Sequence, residues 1–336
     1  MSIENEWFRV NGARNTNRET GDMKPKIGLL LGDRNGIGPE IAARLLAEPD
    51  THVAADVVVI ADRGVYEAGQ AVAGVTLDDT IEFRPLESPA NETSVGTATA
   101  SAGQEVLDAL AQAGRMAVAG EISGFVFAPL NKQAMHMAGL EFEDEMQYLK
   151  HKLGFKGRVG ELNVLGRLWT SRVTSHIAIR DVADHITGPA IEAAVALLDR
   201  SLRDAGFENP RLAVAALNPH AGDGGNFGRE EIDLIEPAVK NAIAAGANAE
   251  GPYPADTVFV RAKNGLYDGV VTMYHDQGQI AMKMMGFGSG ITVLGGLPVK
   301  ITTPAHGTAY DIAGQGKANP AALAEAWRTC VRMAAH

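Results

Sequence analysis

The sequence predicts an α/β fold built on a largely parallel sheet, or on two such sheets. Three observations carry this. Short apolar runs alternate with longer stretches of helical periodicity along the whole chain, the pattern of strand–helix–strand units. At 336 residues the chain is long enough for two domains at roughly 100–200 residues each. Its 46% apolar and 21% charged residues are ordinary for a globular protein with a packed core.

The first 24 residues are polar, lack the apolar stretch of a signal peptide, and read as an N-terminal extension. Ile27 to Leu31 is a strand. It runs into the glycine-rich GDRNGIGPE and then the helical IAARLLAE, with Pro39 in a first turn and Glu40 suited to a helix N-terminus. A second strand covers 56–62, an Ala-rich helix 98–119, and GFVFAPLNK (124–132) is strand then loop. VLGRLWTSRVTSHIAI suggests two strands. Residues 188–205 form a helix with Ile191, Val195, Leu198 and Leu202 on one face. RLAVAALNPHAGDGG is a strand entering a glycine-rich loop, REEIDLIEPAVKNAIAAG a helix, and DGVVTMYHDQG a strand ending on His275. The last helix runs from Pro320 to Met333.

Thirty Lys and Arg against 41 Asp and Glu give a net charge of −11, which argues against nucleic acid as a partner. The single cysteine, Cys330, excludes an internal disulfide or a cysteine zinc cluster and suits a reducing, cytoplasmic setting. No run of 18 or more apolar residues suggests a membrane span.

His176 (TSHIAI), His220 (LNPHAGDGG) and His275 (MYHDQG) each end an apolar, strand-like run, where α/β proteins place their sites. A lone histidine is ordinarily structural. Three in this context point to a divalent-metal site that could also bind substrate oxygens. Lys283 could assist proton transfer or hold a carboxylate, and Asp223, Asp256 and Asp276 could orient ligands. Gly36 and Gly38 sit where glycines let backbone N–H groups approach a ligand, although the full dinucleotide fingerprint is missing and a tight turn explains them equally well. The polar loop HGTAYDIAGQGKANP, from His306, could wrap an adenosine or cap the last helix.

Taken together, LGDRNGIGPEIAARLL, FAPLNKQAMHMAG, SHIAIR, LNPHAGDGGNFGREEIDLIEPAV, GPYPADTVF, MYHDQGQIAMKMMGFG and HGTAYDIAGQGKAN resemble the 4-hydroxythreonine-4-phosphate dehydrogenase family from Lys26 onward. GIGPE and the His306 loop also look like isopropylmalate and isocitrate dehydrogenases. The resemblance implies two α/β/α domains with a cleft between them. Residues 25–132 plus 300–336 would bind NAD or NADP, and 133–299 would bind metal and substrate and form a homodimer. It implies metal ligands at His176, His220 and His275, one supplied across the dimer, for Zn, Mg, Mn or Co. Lys283, Asp256 and Asp276 would be catalytic, and Gly36, Gly38, His306, Asp311, Ala313 and Asn319 would contact the cofactor. The implied reaction oxidises a secondary alcohol beta to a carboxylate of a small hydroxy acid, followed by loss of CO2.

The chain departs from the family pattern at its substrate residues. Asp144-Glu145-Met146-Gln147 replaces a Gly-His-Thr-Glu segment, while Thr292 and Ile301, beside Lys300, replace an Asn and an Arg. Glu145, Met146, Thr292, Lys283 and Lys300 are the substrate-binding candidates. A lost arginine and a gained carboxylate should weaken phosphate binding. The expected substrate is therefore non-phosphorylated, such as terephthalate cis-dihydrodiol of aromatic catabolism, with 4-hydroxythreonine 4-phosphate or a four-carbon sugar acid phosphate as alternatives. A non-catalytic metal- or nucleotide-binding protein and a metal-dependent hydrolase are the competing classes.

Overall fold

A computed structural model describes residues 24–87, 93–286 and 288–336, so the expected N-terminal extension lies outside the described residues except for Lys24. The strands are β1 (Lys26–Leu30), β2 (Asp56–Ala61), β3 (Glu82–Pro85), β4 (Gly124–Phe127), β5 (Gly160–Leu165), β6 (Leu168–Arg172), β7 (Leu212–Ala215), β8 (Ala249–Tyr253), β9 (Gly269–Thr272), β10 (Ile291–Gly295) and β11 (Lys300–Pro304). The helices are α1 (Gly38–Leu46), α2 (Pro49–Ala54), α3 (Arg63–Ala73), α4 (Ala100–Val118), α5 (Lys132–Met137), α6 (Glu145–Lys152), α7 (Val182–His185), α8 (Gly188–Asp204), α9 (Glu236–Ala244), α10 (Ala255–Lys263), α11 (His275–Met285) and α12 (Ala321–Ala334).

All eleven strands form one sheet, ordered β3-β2-β1-β4-β11-β10-β5-β6-β9-β7-β8. The first five pair in parallel, as do the last four. Between them lie three antiparallel pairings, β11–β10, β10–β5 and β5–β6. Three reversals leave the two parallel blocks pointing in opposite directions within one continuous sheet.

Both faces are covered, because successive residues of the inner strands enter different cores. Leu29, Val57 and Val59 pack with Ile41, Leu45 and Trp327, whereas Leu30, Val58 and Ile60 pack with Leu107, Leu110 and Phe125. Leu212 and Val214 likewise face one core while Ala213 and Ala215 face another with Val258 and Phe259. Two expected strands stop early. TSHIAI forms no strand, and β9 ends at Thr272, with His275 opening α11 instead of closing a strand. The Gln277 side chain explains the second case: its Oε1 accepts the Met273 N–H at 2.7 Å, and its Nε2 donates to the Ala216 carbonyl at 2.8 Å, so a side chain takes the N–H that a longer strand would pair. Among the described residues no helix is long and apolar enough to cross a membrane.

Gly38 opens α1 where the backbone approaches Leu31 so closely that a Cβ would lie 2.1 Å from its carbonyl oxygen. Gly38→Ala is expected to destabilise the fold by about 2–3 kcal/mol through overpacking, read as a lower urea midpoint at unchanged slope. An unaltered midpoint would show that the junction relaxes freely.

Candidate active site

Three neighbouring strands, β6, β9 and β7, run parallel, and His176, His275 and His220 each follow the C-terminal end of one of them. Residues 44 and 55 positions apart in sequence are thereby brought to one edge. Backbone pairing continues past β6 and β9: the Val173 N–H donates to the Thr272 carbonyl at 2.9 Å and the Thr174 N–H to that of Met273 at 3.1 Å. The Thr174 hydroxyl adds a bond to the same carbonyl at 2.8 Å. This carries His176 to His275, with ring centroids 5.6 Å apart. Two imidazoles sharing a tetrahedral cation would stand about 5 Å apart.

Each ring is held from behind. His176 Nδ1 bonds Glu143, and His275 Nδ1 bonds Asp276 Oδ1 at 2.7 Å, which leaves both Nε2 atoms open. A carboxylate behind a ligating histidine fixes its tautomer and raises its basicity. The two open nitrogens suit a divalent cation. Among the described residues no three His, Cys, Asp or Glu side chains converge on one cation position.

His220 is exposed and turned aside against Phe227, with ring centroids 6.2 Å apart. Its loop takes left-handed conformations at His220, Ala221 and Asp223 (φ 55°, 53° and 44°), which cost non-glycine residues energy and persist where surroundings enforce them. Buried Glu231 anchors the base of this loop, accepting the N–H groups of Leu217 at 2.9 Å and Asn218 at 2.7 Å. Asp256 is exposed on α10, which packs against the His220 loop. It is not on the cleft wall, so its expected catalytic role is not met within one chain. Asp276 acts on the His275 ring.

A cleft of about 590 Å³ opens beside His275, lined by Lys132, Glu145, Glu161, Asn163, Gln279, Lys283, Thr292, Thr303, His306 and Gly307 among others. Its polar wall is a network. Arg172 donates to Glu161 at 2.5 Å and to Asn163 Oδ1 at 2.9 Å, and Gln279 donates to the same Oδ1 at 2.6 Å. The ammonium groups of Lys132 and Lys283 make no hydrogen bond or salt bridge among the described residues and are available to an anion. Burial pushes the Glu145 carboxyl above the usual glutamate range. Sequence reasoning missed Lys132, Glu143, Glu161, Asn163 and Gln279; only their neighbourhood to recognised motifs could have flagged them.

Several expected contacts fall elsewhere. Met146 is packed in the core with Leu149 and Phe125, and Lys300, at the far end of β11 from the cleft residue Pro304, is bonded to Asp204. Ile301 is fully buried, two residues before the cleft residue Thr303 on β11. Two of the departures that argued against a phosphate therefore concern core positions. Gly36 and Gly38 are buried, and the space a ligand would need is filled: a Cβ on Gly36 would meet Thr308 Cβ at 2.8 Å. Their tight packing is structural.

In the other loop Ala313 is buried in the core and Asn319 Oδ1 accepts the Ala321 N–H at 2.9 Å, leading into α12. Asp311 is exposed, and His306 lines the cleft. The Tyr310 hydroxyl donates to fully buried Asp33 at 2.5 Å, tying the two loops together. Burial raises the Asp33 carboxyl above its usual range despite that bond.

The model of the pyridoxal phosphate biosynthetic protein PdxA matches residues 47–330. This chain belongs to the PdxA family. A Rhizobium meliloti protein whose name places it among the 4-hydroxythreonine-4-phosphate dehydrogenases is 47% identical over 330 residues, 94% of this chain and 95% of that one. A D-threonate 4-phosphate dehydrogenase of Pectobacterium atrosepticum is 35% identical over 93% of this chain and all of its own. Among solved structures, the 4-hydroxythreonine-4-phosphate dehydrogenase of Klebsiella pneumoniae superposes with a TM-score of 0.82 at 34% identity, covering 94% of this chain and 100% of that one. A terephthalate 1,2-cis-dihydrodiol dehydrogenase from Burkholderia xenovorans gives 0.69 at 28%, covering 92% and 98%. The relatives thus favour the phosphorylated alternative over the expected dihydrodiol.

Removing either carboxylate behind the histidines should loosen the metal site without unfolding it. Glu143→Gln and Asp276→Asn are each expected to weaken Mn2+ or Zn2+ binding about 10–100-fold, measured by calorimetry. Unchanged affinity in both would refute the orienting role.

Proposed function

We propose that this PdxA-family chain is a metal- and nicotinamide-dependent dehydrogenase of four-carbon 3-hydroxy acids carrying a 4-phosphate. Both 4-hydroxythreonine 4-phosphate and D-threonate 4-phosphate, named for its relatives, belong to this class. The observation that carries the reading is the His176–His275 pair beside a cleft that also holds the uncommitted ammonium groups of Lys132 and Lys283. Two cations suit a substrate with a carboxylate at one end and a phosphate at the other. His306 and Gly307 mark the wall nearest the loop expected to hold adenosine.

When bound, the divalent cation acidifies the substrate hydroxyl and polarises the ketone, and NAD or NADP accepts the hydride. The chain's own part is to place the alcohol. His176 and His275 offer open Nε2 atoms held by Glu143 and Asp276, and the lysines neutralise the ends. Oxidation at C3 yields a beta-keto acid, which readily loses CO2.

The third ligand is supplied by a second copy. Exposed Ile280 and Met284 share α11 with His275, exposed Ile177 and Ile179 follow His176 in sequence, and exposed Phe227 and Ile232 follow His220; exposed apolar residues of this kind suit an interface. His220, unable to join the pair within its own chain, would reach that of its partner.

NADH formation with Mg2+, Mn2+ or Zn2+ should appear with one or both four-carbon phosphates. Turnover of the dihydrodiol alone would overturn the substrate class. Mixing inactive His176→Ala and His220→Ala chains after co-refolding should restore about a quarter of the sites, because half of the dimers would carry one intact site. Mixing His176→Ala with His275→Ala should restore none. Equal recovery in both mixtures would rule out the shared site.

A further inference from the structure

At the end of the sheet opposite the histidines lies a second cavity, of about 740 Å³, that the dehydrogenase reading leaves unused. Arg167 precedes β6, Arg211 precedes β7 and Asp268 precedes β9. These are the same three strands whose far ends lead to His176, His220 and His275. At ~3.3 Å per residue, the five residues of β6 separate the two ends by roughly 15 Å. Helix α12 adds Arg328 and Arg332 to the cavity wall. Four arginines thus share one cavity in a chain whose net charge is −11.

These guanidinium groups outnumber the carboxylates that hold them. Buried Asp268 is shared by two. Arg211 donates to its Oδ2 from Nε and to its Oδ1 from Nη2, both at 3.1 Å, and Arg167 stands 3.6 Å from the same Oδ1. Glu325 on α12 is shared by Arg328, at 2.9 Å, and Arg332, at 3.5 Å. Burial pushes the Arg332 guanidinium below the usual arginine range; Glu325 opposes this, and the positive charges of Arg328 and Arg167 add to it. Like charges are gathered here from the strand starts and from α12, a cost that an anion among them relieves. Glu208 and His336, also on the wall, are exposed, and solvent screens their charge.

The unused donors identify the chemistry of the occupant. Nη1 of Arg211 and Nη1 of Arg328 make no hydrogen bond among the described residues. Their side chains are 48% and 41% exposed on the cavity wall. A guanidinium edge matches two oxygens of one phosphate. The arginines stand as two pairs, Arg167 with Arg211 about Asp268 and Arg328 with Arg332 about Glu325, which suits two linked phosphates better than one. Arg167 also lies over the Phe207 ring, 4.9 Å from its centroid, so stacking holds it in place before a ligand arrives. We propose that this cavity is a second ligand site, away from the cleft, that binds a small compound carrying a diphosphate. Its volume falls in the range of organic-ligand sites, so the diphosphate need not be the whole of the compound. The assignment does not depend on the dehydrogenase reading.

The test is titration calorimetry of inorganic pyrophosphate into the full chain without added metal, which keeps chelation out of the signal. Binding should survive in the Lys132→Gln, Lys283→Gln double variant, whose cleft has lost its cations, at one pyrophosphate per chain. Arg167→Gln and Arg328→Gln, each added to that background, should weaken it about tenfold or more. Both positions are half-exposed, and unchanged melting temperatures without ligand would show that both variants fold. Pyrophosphate should raise the melting temperature of the double variant and leave those of the two arginine variants in place. Inorganic phosphate should bind at least tenfold more weakly than pyrophosphate. Binding that disappears with the lysines and survives both arginine changes puts the anion in the cleft and overturns the site. No binding by the wild type overturns it as well. Citrate binding as tightly as pyrophosphate overturns the diphosphate class.

Discussion

The antiparallel seam in the middle of the sheet is the constraint on which the rest of the molecule depends. Parallel strands alone would have carried every strand end of one direction to one edge. The pairings β11–β10, β10–β5 and β5–β6 instead join two oppositely directed blocks. The cleft lies over this seam: β5 contributes Glu161, Asn163 and Leu165, β10 contributes Ile291 and Thr292, and β11 contributes Thr303 and Pro304. One block adds His275 and Lys283 through α11, and the other leads by way of β11 into the His306 loop. The His275 side of the cleft and the His306 loop face each other because the sheet changes direction between them.

Around the cleft, most carboxylates are already committed. Glu143 and Asp276 hold imidazoles, Glu161 holds Arg172, and Glu231 holds the strained loop of His220. Each of these bonds fixes a side chain that would otherwise be free to rotate, which is what preorganisation means in physical terms. Although the chain carries a net charge of −11, the cleft holds two lysines, Lys132 and Lys283, that make no hydrogen bond or salt bridge among the described residues. Glu145 breaks the pattern by leaving a buried polar atom unpaired in the cleft wall.

The glycine loop illustrates how sequence motifs mislead. Gly36 and Gly38 look like ligand-facing glycines, but the backbone they admit is the protein's own: Thr308 in one case and Leu31 in the other. Together with the Tyr310–Asp33 bond they lock the loop after β1 to the loop after β11. That contact joins residues nearly the whole chain apart, and no local pattern reveals it. The same blindness placed Met146 and Lys300 near a substrate, when one is a core residue and the other an outlying ion pair.

By itself the sequence determined the α/β class, most of the long helices, the early strands and the three histidines, because periodicity and residue chemistry are local properties. It also carried enough motif order for the family to be recognised. Its strand ends were less legible: side-chain caps such as Gln277 on the Met273 N–H terminate a ladder that hydropathy would continue. Only the tertiary structure decided that β6, β9 and β7 are neighbours, that His176 meets His275 while His220 turns away, and that Glu145 keeps a buried, unpaired atom in the cleft wall. Those outcomes depend on which strands pair and which faces are buried, and pairing and burial are settled between residues far apart in the chain.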